Sequence, residues 1–264
     1  MGRPSKIKEG DFLELKNGFV EVLKYVDYKN ILVKPITNEV IAEDVPYWTM
    51  NCNLKYKWST TPFDRTLYGV GYRGVGQHDC KKSTKVHNTW ANMLKRCYCE
   101  SVWETDPGYR HVSVDTSWHN FQNFAEWFDQ NYVEGFFLDK DLIGNSQLYS
   151  EATCCFIPNE VNIAIAMTHN QRKMREHDNL PTGVHYCKQT GKYSASCGTR
   201  QNSEWGGRHE KIEDAFEKYL EMKQRQLENL AHNFRSQITD VAYDALINFT
   251  EKRIASKYEH WRKR

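Results

Sequence analysis

No stretch of this 264-residue chain holds the ~20 consecutive apolar residues that a membrane-crossing helix needs. Its start, MGRPSKIKEGD, has no apolar segment of the secretory kind. A soluble, cytoplasmic protein with no membrane partner is the expectation. Strong net charge is missing as well. The 36 Lys and Arg against 34 Asp and Glu leave +2, so no global field attracts polyanions, and any affinity for nucleic acid must come from local, salt-sensitive patches. Acidic pieces such as Glu126 to Asp141 dilute basic ones such as the tail from Lys252 to Arg264. The C-x-x-C spacing of common zinc sites is absent too: Cys97 and Cys99 are two apart, and Cys154 and Cys155 are adjacent. Neighbouring strand residues point to opposite faces, so buried thiols in a reducing compartment are expected here rather than structural Zn2+ or disulfides.

What the chain does have is aromatic surface. Aromatic residues make up 13%, with eight Trp, enough for packed cores and incompatible with a disordered chain. The length points to two or three small domains. The expected class is α+β, with a small β-rich module over residues 1–60, a central core over 62–168, a three-stranded sheet plus helix over 178–235, and a basic helix over 236–264. In the first module GDFLELKNGFVEVLKYVDYKNILVKPITNEVIAEDV alternates, with breaks at Lys16-Asn17-Gly18, Asp27 to Asn30 and Thr37-Asn38. Such a pattern reads as a small antiparallel barrel or meander. The polar run Lys57 to Asp64 reads as a linker.

The segment FFLDKDLIGNSQLYSEATCCFIPNEVN, from Phe136 to Asn162, concentrates the chemistry. Two apolar runs flank a polar turn, and Pro158-Asn159 opens a helix, giving a hairpin that runs into a helix N-terminus. Asp139 and Asp141, two apart in a strand, would share one face, with Lys140 on the other. Asn145 falls in the Gly-Asn turn, while Asn159 and Asn162 lie three apart on the first helical turn. Hard oxygens of this kind suit Mg2+ or Mn2+ better than zinc. The same residues also fit a second description, in which Gly144-Asn145 is a hairpin turn, Asn159 a helix cap and the aspartates solvated edge charges.

The order LDKD, GN, YS, C, then Pro and a helix with Asn resembles the degenerate HNH nucleases of bacteriophages. Upstream blocks extend the resemblance to roughly residues 62–165: WANMLKRCY with Trp90, Met93, Arg96, Cys97 and Tyr98; SVDTSWHNFQNFAEWF with Trp118, Phe121 and Phe124; and the glycine-rich YGVGYRGVG. It implies a ββα-metal core, a hairpin and helix around one metal ion, acting as a phosphodiester hydrolase. On this resemblance the catalytic set is Asp139, Lys140, Asp141, Arg96 and Asn162, with Asp139, Asp141 and Asn145 as metal ligands. Lys140 or Arg96 would neutralise phosphate charge. The family's histidine after the first aspartate is replaced by Lys140, which leaves the general base unassigned; His87, His111 and His119 lie upstream.

Downstream, LPTGVHYCKQTGKYSASCGTRQNSEWGGRHEKIEDAFEKYLEMKQRQLENLA resembles the APETALA2-type DNA-binding domain of phage endonucleases and plant transcription factors. The matching residues are Gly183-Val184, Gly191-Lys192-Tyr193, Ala195, Gly206-Gly207, Ala215, Phe216 and Tyr219. Short alternating runs turn at Thr190-Gly191, and Ile212, Ala215, Phe216, Tyr219 and Leu220 form one helical stripe that packs on a sheet. The resemblance implies that the sheet enters the major groove of double-stranded DNA. Lys188, Lys192, Tyr193, Arg200, Trp205 and Arg208 would be the contacts.

Three function classes follow. The first is a metal-dependent DNA endonuclease, homing or nicking, which would cut both strands as a homodimer or nick as a monomer. The second is a catalytically silent DNA-binding protein on the same core, which the missing histidine favours. The third binds and blocks a host protein through aromatic surface such as Trp118, Trp127 or Trp205.

Overall fold

Alternation over the first fifty residues is regular enough to specify strand pairing, and the computed structural model contains that pairing as a four-stranded antiparallel meander. The structure describes residues 7–36, 45–81, 84–144, 147–169, 180–198 and 202–255. Over these the fold is α+β, and the chain divides into two compact units, residues 1–130 and 131–264, so the stretch 62–168 contributes to both.

In the first unit, β1 (Phe12–Leu15), β2 (Gly18–Asp27), β3 (Asn30–Ile36) and β4 (Tyr47–Thr49) pair in sequence order. Their inward residues Leu15, Val20, Val22, Ile31, Val33 and Tyr47 form a core with Leu54 of the short helix α1 (Asn51–Leu54). Two of the expected breaks fall where the strands turn, before Gly18 and between Asp27 and Asn30. At the second, Asp27 Oδ1 accepts the Lys29 N–H at 2.7 Å and the Asn30 N–H at 3.0 Å. Thr37-Asn38 lies outside the described residues. The run Lys57 to Asp64 is not a spacer. Phe63 is buried in the same core, and Thr61 donates its N–H to Asp64 Oδ2 at 2.9 Å and its hydroxyl to Oδ1 at 3.1 Å. One buried ring and one closed turn fix a segment whose composition is polar.

The rest of this unit is built on aromatics. Helix α2 (Lys85–Tyr98) buries His87, Trp90, Met93, Leu94 and Cys97, the stripe that 3.6-residue periodicity places on one side. The short helix α3 (Glu100–Thr105) and β5 (Ser113–Val114) lead to α4 (Phe121–Asn131), which buries Phe121, Phe124, Trp127 and Phe128. The Trp90 indole N–H donates to Trp118 O at 2.7 Å, and the Trp118 and Trp127 rings lie 4.7 Å apart. Both of these Trp are buried. They hold this core together and cannot supply the partner surface expected of them; their spacing matched a helical core face, which sequence alone does not distinguish from a patch.

The second unit opens with β6 (Phe137–Asp139), β7 (Leu148–Tyr149), β8 (Cys155–Ile157) and α5 (Asn159–His169). β6 and β8 are antiparallel, with Phe137 opposite Ile157, Leu138 opposite Phe156 and Asp139 opposite Cys155. The expected hairpin and helix are therefore present. Three further strands, β9 (Val184–Cys187), β10 (Lys192–Gly198) and β11 (Ser203–His209), form an antiparallel sheet with β10 in the middle. Helix α6 (Ile212–Asn233) follows, then α7 (Asp240–Ile247) and a last helical turn over Thr250–Ala255. α6 ends at Asn233, close to the expected boundary between residues 235 and 236.

α6 buries Ala215, Phe216, Tyr219, Met222 and Leu227. It packs across all three strands of the sheet and also against α5 and α7. Gly206 makes the approach to the sheet possible, since a Cβ there would lie 2.6 Å from Met222 Sδ and 2.9 Å from Ala195 Cβ. Among the described residues no helix is long and apolar enough to cross a membrane.

Candidate functional site

Two features of the second unit carry chemistry, a carboxylate at the end of β6 and the open face of the three-stranded sheet. At the first, Asp139 Oδ1 accepts the N–H of Asp141 at 2.9 Å and of Leu142 at 2.7 Å. A side chain that captures the backbone two and three residues ahead bends the chain, so the strand ends at Asp139. Asp141 then lies in the turn. The expectation that both aspartates project from one strand face is overturned by that turn, and the carboxylates are neighbours through it.

Asp139 is only 6% exposed. Burial, and then the charge of Asp141, push its carboxyl up to about 6, against the opposing pull of the two N–H donors and Lys140. Lys140 is buried as well; its Nζ meets Asp141 Oδ1 at 2.7 Å and lies 5.6 Å from the centre of the Tyr149 ring. The residue standing where the resemblance expects a histidine is thus an ion-paired ammonium, a donor and a positive charge.

Two of the other expected residues lie on α5. Asn162 is half-buried on the first turn of α5, where its N–H donates to Pro158 O at 3.1 Å, and Asn159 is the exposed first residue. Asn145 lies outside the described residues. Arg253, a residue with no sequence signal beyond its place in a basic tail, donates from one guanidinium nitrogen to Gly144 O and, at 3.4 Å, to Leu142 O. It braces the turn that Asp139 begins. Most of that tail, from residue 256 on, lies outside the described residues.

Arg96 belongs to α2 in the first unit, its guanidinium 5.7 Å from the Tyr109 ring centre. The upstream histidines are in that unit too. His119 Nε2 pairs with the Tyr98 hydroxyl at 3.2 Å, and burial holds its imidazole below the ordinary value. His87 is buried and His111 exposed.

Among the described residues no group of three His, Cys, Asp or Glu converges. The donors at β6 are two carboxylates, which fit a hard ion such as Mg2+: it takes one or two carboxylates and fills its shell with water and substrate phosphate. They do not fit zinc. Burial pushes the Cys154 thiol up to about 12 and the Cys155 thiol up as well, the latter also by the Asp139 charge, so both are buried, protonated thiols in the metal-free protein.

At the second feature, strand register sorts the side chains. Val184 opposes Ala195 and both are buried under α6, so His185, Cys187, Ser194 and Lys192, the alternate pairs, face the other way. Trp205 opposes Ser196 and Arg208 opposes Ser194, which puts them on the same open face. Trp205 is 66% exposed. Lys192 Nζ meets Glu210 Oε1 at 2.6 Å, and His185 Nε2 pairs with Ser196 Oγ at 2.9 Å. Lys188 is exposed in the turn between β9 and β10, and Arg200 lies outside the described residues.

Tyr193 is a correction. It opposes Tyr186 on the α6 side of the sheet, with ring centres 5.1 Å apart, because its odd position puts it in phase with Ala195 and Cys197. His185, which the sequence reading passed over, takes a place on the open face; the phase set by Val184 is the signal that identifies it.

No protein-family model, no curated protein and no solved structure matches the chain.

Proposed function

We propose that this protein is a metal-dependent DNA endonuclease of the phage HNH type, homing or nicking, which grips duplex DNA with its APETALA2-like sheet. The observation that carries the reading is α6. One helix backs a sheet whose open face displays Lys192, Trp205 and Arg208, and it also packs against α5, the helix that follows the Asp139 hairpin. A groove-binding surface and a buried carboxylate with a raised pKa are thereby mounted on one support.

In this reading Asp139 and Asp141 would hold Mg2+ or Mn2+, whose charge would stabilise the scissile phosphate and its leaving oxygen. Lys140 supplies positive charge to the phosphate. Asp139 would have to be ionised to act as a ligand, so metal binding would work against the burial that raises its carboxyl and would lower it from that value.

Supercoiled DNA incubated with the protein and Mg2+, Mn2+ or chelator tests this. Nicking that requires the metal is expected. Asp139→Asn should reduce it on the order of 10²-fold or more while keeping an acceptor for the Asp141 and Leu142 N–H groups. Equal cutting by parent and folded variant would overturn the reading.

The Lys140–Asp141 ion pair favours a second reading, a DNA-binding protein whose core has lost its chemistry. Such a protein shifts duplex DNA on a native gel with a steep salt dependence and leaves supercoiled DNA intact in both metals.

A further inference from the structure

The first unit contains a pocket that the proposed function leaves unused. Its volume is about 490 Å³, within the ~300–1,000 Å³ of pockets that seat a small molecule. β4 and the segment following α1 form its walls. Alternation along β4 turns Tyr47 into the core and Trp48 outward, where it is 55% exposed. Trp58, 70% exposed, is stacked on Tyr56 with ring centres 4.5 Å apart and planes 10° from parallel. An indole braced by one ring and otherwise exposed is a platform for another flat ring.

The polar lining fits an anion. Arg73 is the wall's cation, and among the described residues none of the lining side chains is acidic. Lys55 Nζ, 5.3 Å from the centre of the Tyr56 ring, adds a second positive charge at the stack. Asp64 is buried and accepts from Thr61, so its carboxylate takes no direct part in the lining. Asn53 Nδ2 donates to Thr49 Oγ1 at 3.2 Å and ties α1 to β4 at the pocket.

We propose that this pocket binds a single-stranded polynucleotide, with one base stacked on Trp58, Trp48 alongside, and the phosphate backbone passing Arg73 and Lys55. Proline-rich peptides also dock on aromatic grooves, but they gain nothing from two cations beside an acid-free wall; a polyanion of flat rings uses both. The site shares no residue with the carboxylate or the sheet, and its test is independent of theirs.

The experiment titrates the full chain into fluorescein-labelled oligothymidylate and oligouridylate at low salt, read by anisotropy. The two arms tell DNA from RNA as the source of the strand, and saturable binding of either that depends on Trp58 supports the site. Trp58→Ala should weaken it roughly 5- to 100-fold, and Trp58→Phe should restore most of the affinity. Arg73→Gln should flatten the logarithmic salt dependence by about one phosphate contact. Trp205→Ala with Arg208→Ala should leave it unchanged. Trp48→Ala gives a second exposed aromatic deletion should Trp58→Ala perturb melting. The proposal is overturned if affinity survives Trp58→Ala, Trp48→Ala and Arg73→Gln, if it disappears with Trp205 and Arg208 instead, or if only a proline-rich peptide binds in a Trp58-dependent way.

Discussion

The three-stranded sheet and the β6–β8 hairpin lie in one unit and are both antiparallel, yet alternation describes the first and fails at the second. β10 runs for seven residues, long enough for one buried pair, Val184 with Ala195, to set the phase of the β9 and β10 side chains. A register shift between Ser194 and Ser196 lets Trp205 and Arg208 of β11, three apart, share a face. β6 is three residues long and is ended from within by Asp139, whose side chain takes the two N–H groups that a longer strand would have used for pairing. A period of two locates a side chain only while the strand lasts. At the hairpin a single carboxylate, not a pattern, decides where the backbone goes.

The sharpest way to break the sheet side of this comparison is at Gly183. Its φ is +80°, and a Cβ there would lie 2.0 Å from the Tyr219 ring. Gly183→Ala combines a left-handed backbone cost of ~1–2 kcal/mol with overpacking of ~1–3 kcal/mol. A loss of about 3 kcal/mol is expected, measured by urea unfolding. A loss below about 1 kcal/mol would mean that α6 does not clamp β9 as described.

Asp139 gives the next largest effect, with opposite signs in two assays. The folded state keeps the Asp139 proton up to about pH 6, whereas an ordinary aspartate loses it near 3.8. Between those values the folded state binds more protons. The stability this provides is fully present below about pH 4 and is lost as pH rises through about 6, a change of order 2–3 kcal/mol at ~1.4 kcal/mol per pH unit. Asp139→Asn retains the acceptor and removes the buried charge. It should unfold at higher urea than the parent at pH 8, with the gap closing towards pH 4. DNA cutting by the parent should rise with pH, the carboxylate being the working form, and its midpoint should fall below about 6 as metal is raised to saturation, while the variant stays at least about 10²-fold down. A variant that is less stable at pH 8 would show the turn needs the charge as well as the acceptor.

The meander, the hairpin and helix, the sheet and the packing stripe of α6 were legible in the sequence, because alternation, turn residues and a helical stripe act locally. Two parts of the site were not. The turn at Asp139 depends on which of two competing hydrogen bonds a side chain makes, and Arg253 reaches Gly144 across more than a hundred residues. Nothing near either residue marks the other. Arg253→Met keeps much of the stem and removes the donors. Charged hydrogen bonds of this kind are worth ~1.5–3 kcal/mol when buried, and this side chain is half-buried, so a loss of about 1 kcal/mol is expected, together with faster hydrogen exchange at Asp141 and Leu142. Exchange at the parent's rate would remove Arg253 from the account of the turn.

The smallest effect on stability falls on the open face of the sheet. Lys192 and Glu210 pair at 2.6 Å with side chains that are both exposed, and such a pair contributes ~0–1 kcal/mol, so Lys192→Ala should barely move the unfolding midpoint. DNA binding should respond more clearly. Losing one phosphate contact reduces the logarithmic salt slope by about one, with little dependence on sequence. Glu210→Gln should act in the other direction, since it releases Lys192 from its carboxylate and removes a charge that repels phosphate. The opposed signs separate an electrostatic role from a packing one, because a merely structural pair would weaken together. If Lys192→Ala, Glu210→Gln and Arg208→Ala all leave duplex affinity and its salt slope where they were, then the open face of this sheet is a solvated surface, and the DNA contact lies elsewhere.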